Sequence, residues 1–169
     1  MKQEKEVWLS GVIIEGITPL LQPVAHALLQ AAREIRSMMS GFEASALWQQ
    51  PAGCASPGFH LLHIRGVLDR LLTYAENKTL TEDQFIYLKQ ETDTQTSTHE
   101  TLVDQCIQQI SETVERLKNF KEDDLVLERK VGRAQLPSTV IGLCTHAAEH
   151  TMRHVGQLLV TIRLLHHKR

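Results

Sequence analysis

The chain has 169 residues, 18 of them basic and 20 acidic, and 42% of its residues are hydrophobic. Its formal net charge of -2 is too small to capture nucleic acid or an anionic membrane surface by electrostatics. No apolar run approaches the roughly 20 residues that a membrane-spanning helix requires. We therefore expect a single soluble domain over residues 1–169, with neither a nucleic-acid partner nor a membrane span.

The N-terminus and the cysteines indicate a cytoplasmic protein. Residues 1–6 mix acidic with basic side chains and lead into no long apolar core, which is not typical of a signal peptide. Cys54, Cys106 and Cys144 are far apart and odd in number, so we predict free thiols. Cys106 and Cys144 fall on apolar helical faces and are expected to pack in the core. Cys54 lies in a loop without an evident basic partner, and no catalytic role is assigned to it.

The first half of the chain predicts two long helices and a short one. Apolar residues recur at helical spacing over residues 18–39, where Thr18 and Pro19 form a typical helix start. A loop rich in proline, glycine and serine separates this segment from a second helix over residues 59–76. A shorter helix is predicted over residues 79–91, because residues 81–84 resemble a capped first turn.

The second half predicts two further long helices. The third covers residues 96–120, residues 125–131 could be extended, and the fourth starts near Pro137 and Ser138 and continues to residue 165. Four amphipathic helices with few strand signals favour an all-α four-helix bundle. The gap between the second and third helices permits either an up-down-up-down or a crossover order.

Histidines on the last helix are the main indication of chemistry. His146, His150 and His154 are four residues apart and therefore lie on one side of a helix. On a helical wheel, His154 points toward the apolar face, His150 lies at its border and His146 is turned toward solvent. Gln157 shares the flank of His146 and His150, so either of Gln157 and His146 could hydrogen-bond a ligand histidine.

The second helix offers a further candidate ligand. His63 lies at the edge of the apolar arc of this helix, whereas His60 falls within the polar arc and is left out. We therefore predict that His63, His150 and His154 hold a divalent metal through three nitrogens. The residues alone leave equally open that these are half-buried histidines hydrogen-bonded to their neighbours.

Two segments of the chain resemble proteins of the DinB-like superfamily. The likeness in the order of the helices extends over nearly the whole chain. One resembles the last helix of these proteins and the other the entry to their second helix. The segments are residues 136–140 followed by His146, Glu149-His150, His154 and Gly156-Gln157, and residues 47–48 with 58–64.

The resemblance implies a DinB/YfiT-like four-helix bundle with up-up-down-down helix directions, and a homodimer. It also implies a divalent metal, often nickel or zinc, held by one histidine of the second helix and two of the fourth. These positions correspond to His63, His150 and His154. Family members often carry arginine directly after the final histidine. Here that residue is Val155, so a substrate contact through the arginine is not carried over.

The resemblance further implies an activity. Some DinB-like proteins resemble S-transferases that use bacillithiol or mycothiol, and others are regarded as metal-dependent hydrolases. Three imidazoles leave coordination positions open on an ion. We therefore expect a metal-dependent transferase that presents a small thiol to an electrophilic substrate. A hydrolase and a non-catalytic, stress-related binding bundle are the alternatives. Imidazole suits several metals, so the sequence does not decide between nickel and zinc.

Overall fold

The computed structural model describes residues 5–167, and of His167 the backbone alone. Five α-helices and a two-stranded antiparallel sheet make up its regular structure, together with short 3-10 turns. In chain order these are α1 (Gln22–Met39), α2 (Pro57–Ala75), α3 (Glu82–Gln90), α4 (His99–Leu117), β1 (Glu128–Val131), β2 (Leu136–Thr139) and α5 (Val140–His167).

Hydroxyl side chains cap most of these helices, and the caps at Thr18 and Thr81 are predicted from the sequence. The Thr18 side chain accepts a hydrogen bond from a backbone N–H of the 3-10 turn that leads into α1. Ser56 and Thr98 cap α2 and α4 in the same way. Thr81 and Gln84 form a reciprocal capping box at the start of α3, which confirms the predicted capped turn.

The start of the last helix differs from the prediction. Residues 136–139 pair with residues 128–131 as an antiparallel hairpin, so the helix begins at Val140 and not near Pro137. The Thr139 hydroxyl accepts a hydrogen bond from Gly142 N–H, which is the role of a helix cap. The predicted extended segment over residues 125–131 is confirmed for residues 128–131, where this partner strand is available.

One hydrophobic core joins the four long helices. α1 and α2 each pack against α4 and α5, so they occupy opposite corners of the bundle. Fully buried side chains from all four helices meet between them, including Leu28, Leu68, Ile110 and Leu158. Within residues 5–167, none of the helices has the length and apolarity that crossing a bilayer requires.

α1 and α4 run in opposite directions. Arg36, near the end of α1, lies 4.0 Å from Asp104, near the start of α4. The rings of Phe42 and His99, beyond these points, are 5.9 Å apart. Residues later in α1 therefore meet residues earlier in α4.

α2 and α4 run in the same direction. Arg65, at the middle of α2, donates a hydrogen bond to Gln105 in the first half of α4. Arg116 donates one to Glu76 near the end of both. α2 runs opposite to α5, since the Thr161 hydroxyl near the end of α5 approaches the Ala55 carbonyl just before α2.

The four long helices α1, α2, α4 and α5 therefore run up, down, down and up in chain order. The predicted all-α four-helix bundle is confirmed, but the up-up-down-down order is wrong. The reason is the path of α3, which returns along α2: Gln84 contacts Asp69, and Tyr87 contacts the Leu62 carbonyl closer to the start of α2. The chain is thereby brought back to the end at which α2 began, and α4 starts there.

Two glycine substitutions test the packing at the start of α2. A Cβ added to Gly58 would lie 2.6 Å from Cε3 of the Trp48 indole, whereas one added to Gly156 on α5 meets no atom within 4 Å. We expect Gly58→Ala to lower the free energy of unfolding by about 1–3 kcal/mol, because the ring must move. Gly156→Ala should raise it by up to about 1 kcal/mol through helix propensity. Urea unfolding measures both, and shifts of the same sign would contradict the packing described.

Candidate metal centre

The contact between α2 and α5 brings three histidines together. One ring nitrogen from each of His63, His150 and His154 lies within 4.8 Å of the other two. Nε2 of His63 and Nε2 of His150 are 3.0 Å apart. Two imidazole ligands on a tetrahedral ion, with bonds of about 2.05 Å, stand about 3.3 Å apart. The nitrogens are therefore close to the spacing that a divalent ion requires.

The cluster is buried on one side and accessible on the other. His154 is 9% exposed, whereas the side chain of His63 is 20% exposed. His150 is intermediate, so the orientations predicted from the helical wheel for His150 and His154 are confirmed. An ion held here would have a buried flank and an open one.

The environment keeps the imidazoles of His150 and His154 neutral. Burial, followed by the nearby His63, His150 and His60, lowers the pKa of His154 to about 3. Burial, followed by the nearness of His63, also lowers the pKa of His150. A neutral imidazole carries the lone pair that a metal needs, so the ligand form is present at neutral pH.

A carboxylate that the sequence analysis missed orients His63. Glu91 is 3% exposed, and its Oε2 lies 2.8 Å from His63 Nδ1. Its Oε1 accepts a hydrogen bond from Arg70 Nη1 at 2.5 Å. Because an ionised carboxylate only accepts hydrogen bonds, the proton of His63 lies on Nδ1 and its Nε2 is free to bind. A single glutamate after a short helix carries no sequence signal of this role.

His60 was also misplaced by the helical wheel. The wheel puts it in the polar arc, yet it is 2% exposed and its Nδ1 lies 3.0 Å from Nδ1 of His154. The loop before α2 folds over the start of the helix, where Gly58 N–H donates to the Leu47 carbonyl. Burial, with a smaller effect of His63, lowers the pKa of His60 to about 4. His60 is thus a hydrogen-bond neighbour of one candidate ligand.

Gln157 and His146 are the two residues predicted to support the candidate ligands. Both are exposed, and the ring of His146 is 5.3 Å from that of His150. Nδ1 of His150 is buried without a hydrogen-bond partner among the described residues, so neither side chain bonds it there. The hydrogen bonds to the other two candidate ligands come from Glu91 and His60. A supporting role for Gln157 or His146 stays a prediction.

The cysteines lie outside the cluster. Cys106 and Cys144 are buried, and burial raises the pKa of each thiol to about 12. Both therefore remain protonated at neutral pH, in agreement with the predicted core positions. Cys54 is partly exposed and has a free thiol.

A polar groove of about 690 Å³ runs between α2, α3 and α4, on another side of α2. None of the three histidines lines it. Several of its charged side chains neutralise one another, since Arg116 pairs with both Asp69 and Glu76. The groove is therefore separate from the open flank of the histidine cluster.

Comparisons with known proteins agree with this architecture. A family model described as the DinB superfamily matches residues 25–158, a range that includes all three histidines. The crystal structure of a conserved protein from Enterococcus faecalis superposes with a TM-score of 0.69 at 18% identity, covering 87% of this chain and 97% of that one. The crystal structure of a protein assigned to the DinB family from Exiguobacterium sibiricum superposes with a TM-score of 0.68 at 20% identity. It covers 88% of this chain and 93% of that one. No curated protein matches the chain.

Alanine substitutions test the ligand set. We expect His63→Ala and His154→Ala to lose bound divalent metal, because each removes one of three nitrogens. His146→Ala, at an exposed position, should retain it. His60→Ala should weaken binding by about 10- to 100-fold through loss of the contact with His154. Elemental analysis and competition with a chromophoric chelator measure these effects. Equal losses in His146→Ala and His154→Ala would contradict the assignment.

Proposed function

Because the chain belongs to the DinB superfamily, we propose that it is a divalent-metal protein that activates a low-molecular-weight thiol for transfer to an electrophile. The observation that carries this proposal is the meeting of His63, His150 and His154 within 4.8 Å of one another. Metal binding is the first part of the proposal and thiol transfer the second.

The chemistry of the donor set supports a first-row transition metal. All three candidate ligands are imidazoles, which suit zinc and nickel. Three protein ligands leave a position open, as in catalytic zinc sites, whereas structural sites are filled by four. The exposed flank at His63 lies where a small molecule could reach that position.

The charge balance favours activation of a weak acid. A bound divalent ion supplies positive charge that lowers the pKa of a thiol or water at its open position. Neutral imidazoles do not reduce that charge, as carboxylate ligands would. His63, His150 and His154 would hold the ion, with the buried His154 on its side away from solvent.

A thiol fits this site better than water does. Hydrolysis commonly uses a general base beside the attacking water. The carboxylate that contacts the cluster, Glu91, is engaged by both Arg70 and His63. On the open flank, Glu149 is paired with Arg153. A thiol that has lost its proton to solvent needs no such base. The hydrolase and the non-catalytic bundle remain the alternatives.

A conjugation assay tests the second part of the proposal. Protein loaded with Zn²⁺ or Ni²⁺ should conjugate monochlorobimane to cysteine, glutathione or bacillithiol, and chelator should abolish the fluorescence gain. His154→Ala should lose this activity and His146→Ala should keep it. A reaction without added thiol controls for labelling of Cys54, which is a free thiol.

The same experiment separates the alternatives. Metal-loaded protein that conjugates none of these thiols but hydrolyses an activated ester in a chelator-sensitive way would support the hydrolase. Metal-loaded protein that does neither would support the binding bundle.

We also propose that the chain forms a homodimer through the segment before α1. Five of its apolar side chains are more than half exposed: Trp8 at 61%, Leu9 at 53%, Val12 at 51%, Ile13 at 81% and Leu20 at 52%. Apolar side chains grouped in this way are typical of a protein–protein contact.

Light scattering coupled to size exclusion should give twice the chain mass of 19.1 kDa. Combined Trp8→Glu and Ile13→Glu substitutions should give the monomer. Val126→Glu, at an equally exposed residue of the hairpin region, should leave the mass unchanged. A monomeric unsubstituted protein would refute the dimer.

A further inference from the structure

α3 is held on α2 by few interactions, most of them polar. None of its residues Glu82–Gln90 is buried. Gln84 Nε2 donates to Asp69 Oδ2 at 2.6 Å and to Thr73 Oγ1 at 2.9 Å, and the Tyr87 hydroxyl donates to the Leu62 carbonyl at 3.0 Å. An element with so little buried apolar surface is expected to open at low free-energy cost.

Glu91, directly after α3, is the deeply buried attachment of this segment. Its carboxylate is 3% exposed and lies between Arg70 Nη1 and His63 Nδ1. A buried carboxylate is stable only when it is paired and hydrogen-bonded, and Arg70 provides that charge. Glu91 therefore connects the position of α3 with the orientation of a candidate metal ligand.

Gly66 makes room for this arrangement. A Cβ at residue 66 would lie 2.6 Å from Arg70 Nη1 and 2.7 Å from Cε1 of Tyr87, and closer still to Oε1 of Glu91. The absence of a side chain lets the carboxylate and the guanidinium reach the surface of α2. The paired groups are thus built into the packing of α3 on α2.

We infer that Glu91, fixed by Arg70, is a positioning residue for metal binding, and that docking of α3 and metal binding at the three histidines stabilise each other. The inference rests on the metal-binding part of the proposed function, and is independent of thiol transfer. Glu91 keeps the proton of His63 on Nδ1, so Nε2 presents its lone pair toward His150 before metal arrives. Thermodynamic linkage requires the reverse effect: bound metal strengthens the attachment of α3.

Glu91→Gln tests the positioning role. Arg70 can only donate, so the amide oxygen of the variant must face Arg70 and its NH₂ must face His63. His63 Nδ1 then becomes an acceptor, and the ring proton moves to Nε2, the nitrogen needed by the metal. We expect Zn²⁺ affinity, measured by competition with a chromophoric chelator, to fall by about 10- to 100-fold. Glu82→Gln, which removes an exposed carboxylate from the same helix, should leave the affinity unchanged.

The ring protons provide a readout that a general loss of packing would not produce. Nitrogen-15 NMR of the metal-free protein should show His63 protonated on Nδ1 in the unsubstituted chain and on Nε2 in Glu91→Gln. A metal-free unsubstituted protein with His63 protonated on Nε2 would overturn the inference, even if the variant failed to fold.

Hydrogen exchange tests the linkage to α3. Zn²⁺ should slow exchange of the amides of Glu82–Gln90 in the unsubstituted protein and in Glu82→Gln, and should not do so in Glu91→Gln. Unchanged Zn²⁺ affinity in Glu91→Gln, or α3 exchange insensitive to Zn²⁺ in the unsubstituted protein, would overturn this inference while leaving the proposed function intact. Metal binding with no thiol transfer would overturn only the transferase proposal.

Discussion

The antiparallel contact between α2 and α5 is the constraint on which the candidate centre depends. It places His63 opposite two histidines of α5, the nearer of which is 87 positions away in the chain. Two residues four positions apart on a helix are separated by about 6 Å along its axis, so one facing side chain can reach both. α2 and α5 also pack through the common hydrophobic core, to which Ile64 and Leu158 contribute fully buried side chains. The cluster is therefore positioned by the core and does not require a flexible loop.

The topology of the bundle places a second group at the same site. α2 and α4 run in the same direction, so the chain must return along the bundle between them. α3 is that return segment, and Glu91 follows it directly, beside the start of α2 where His63 lies. The connection that sets the direction of α4 thus also supplies the carboxylate that orients a candidate ligand.

The histidine cluster adjoins a buried pair of charged groups, Glu91 and Arg70. Burial and the neighbouring histidines lower the pKa values of His150 and His154, which keeps these two imidazoles neutral. The carboxylate of Glu91 lies one hydrogen bond further out and is paired with Arg70. An ion bound by the imidazoles would therefore keep most of its charge for a molecule on the open flank. This is the physical basis for proposing activation of a thiol.

Local patterns in the sequence determined the helices, their caps and the spacing of His150 and His154, because these depend on residues within a turn or two of each other. Helical periodicity also predicted the bundle, the helical wheel selected His63, and the resemblance to DinB-like proteins implied the same three ligands. The tertiary structure alone decided the helix directions, the burial of His60 beside His154 of α5, and the contact of Glu91 with His63. It also decided the start of α5 at Val140, because residues 136–139 gain hydrogen bonds from a partner strand. Each of these depends on which distant segments become neighbours, and a helical wheel of an isolated helix contains no information about them.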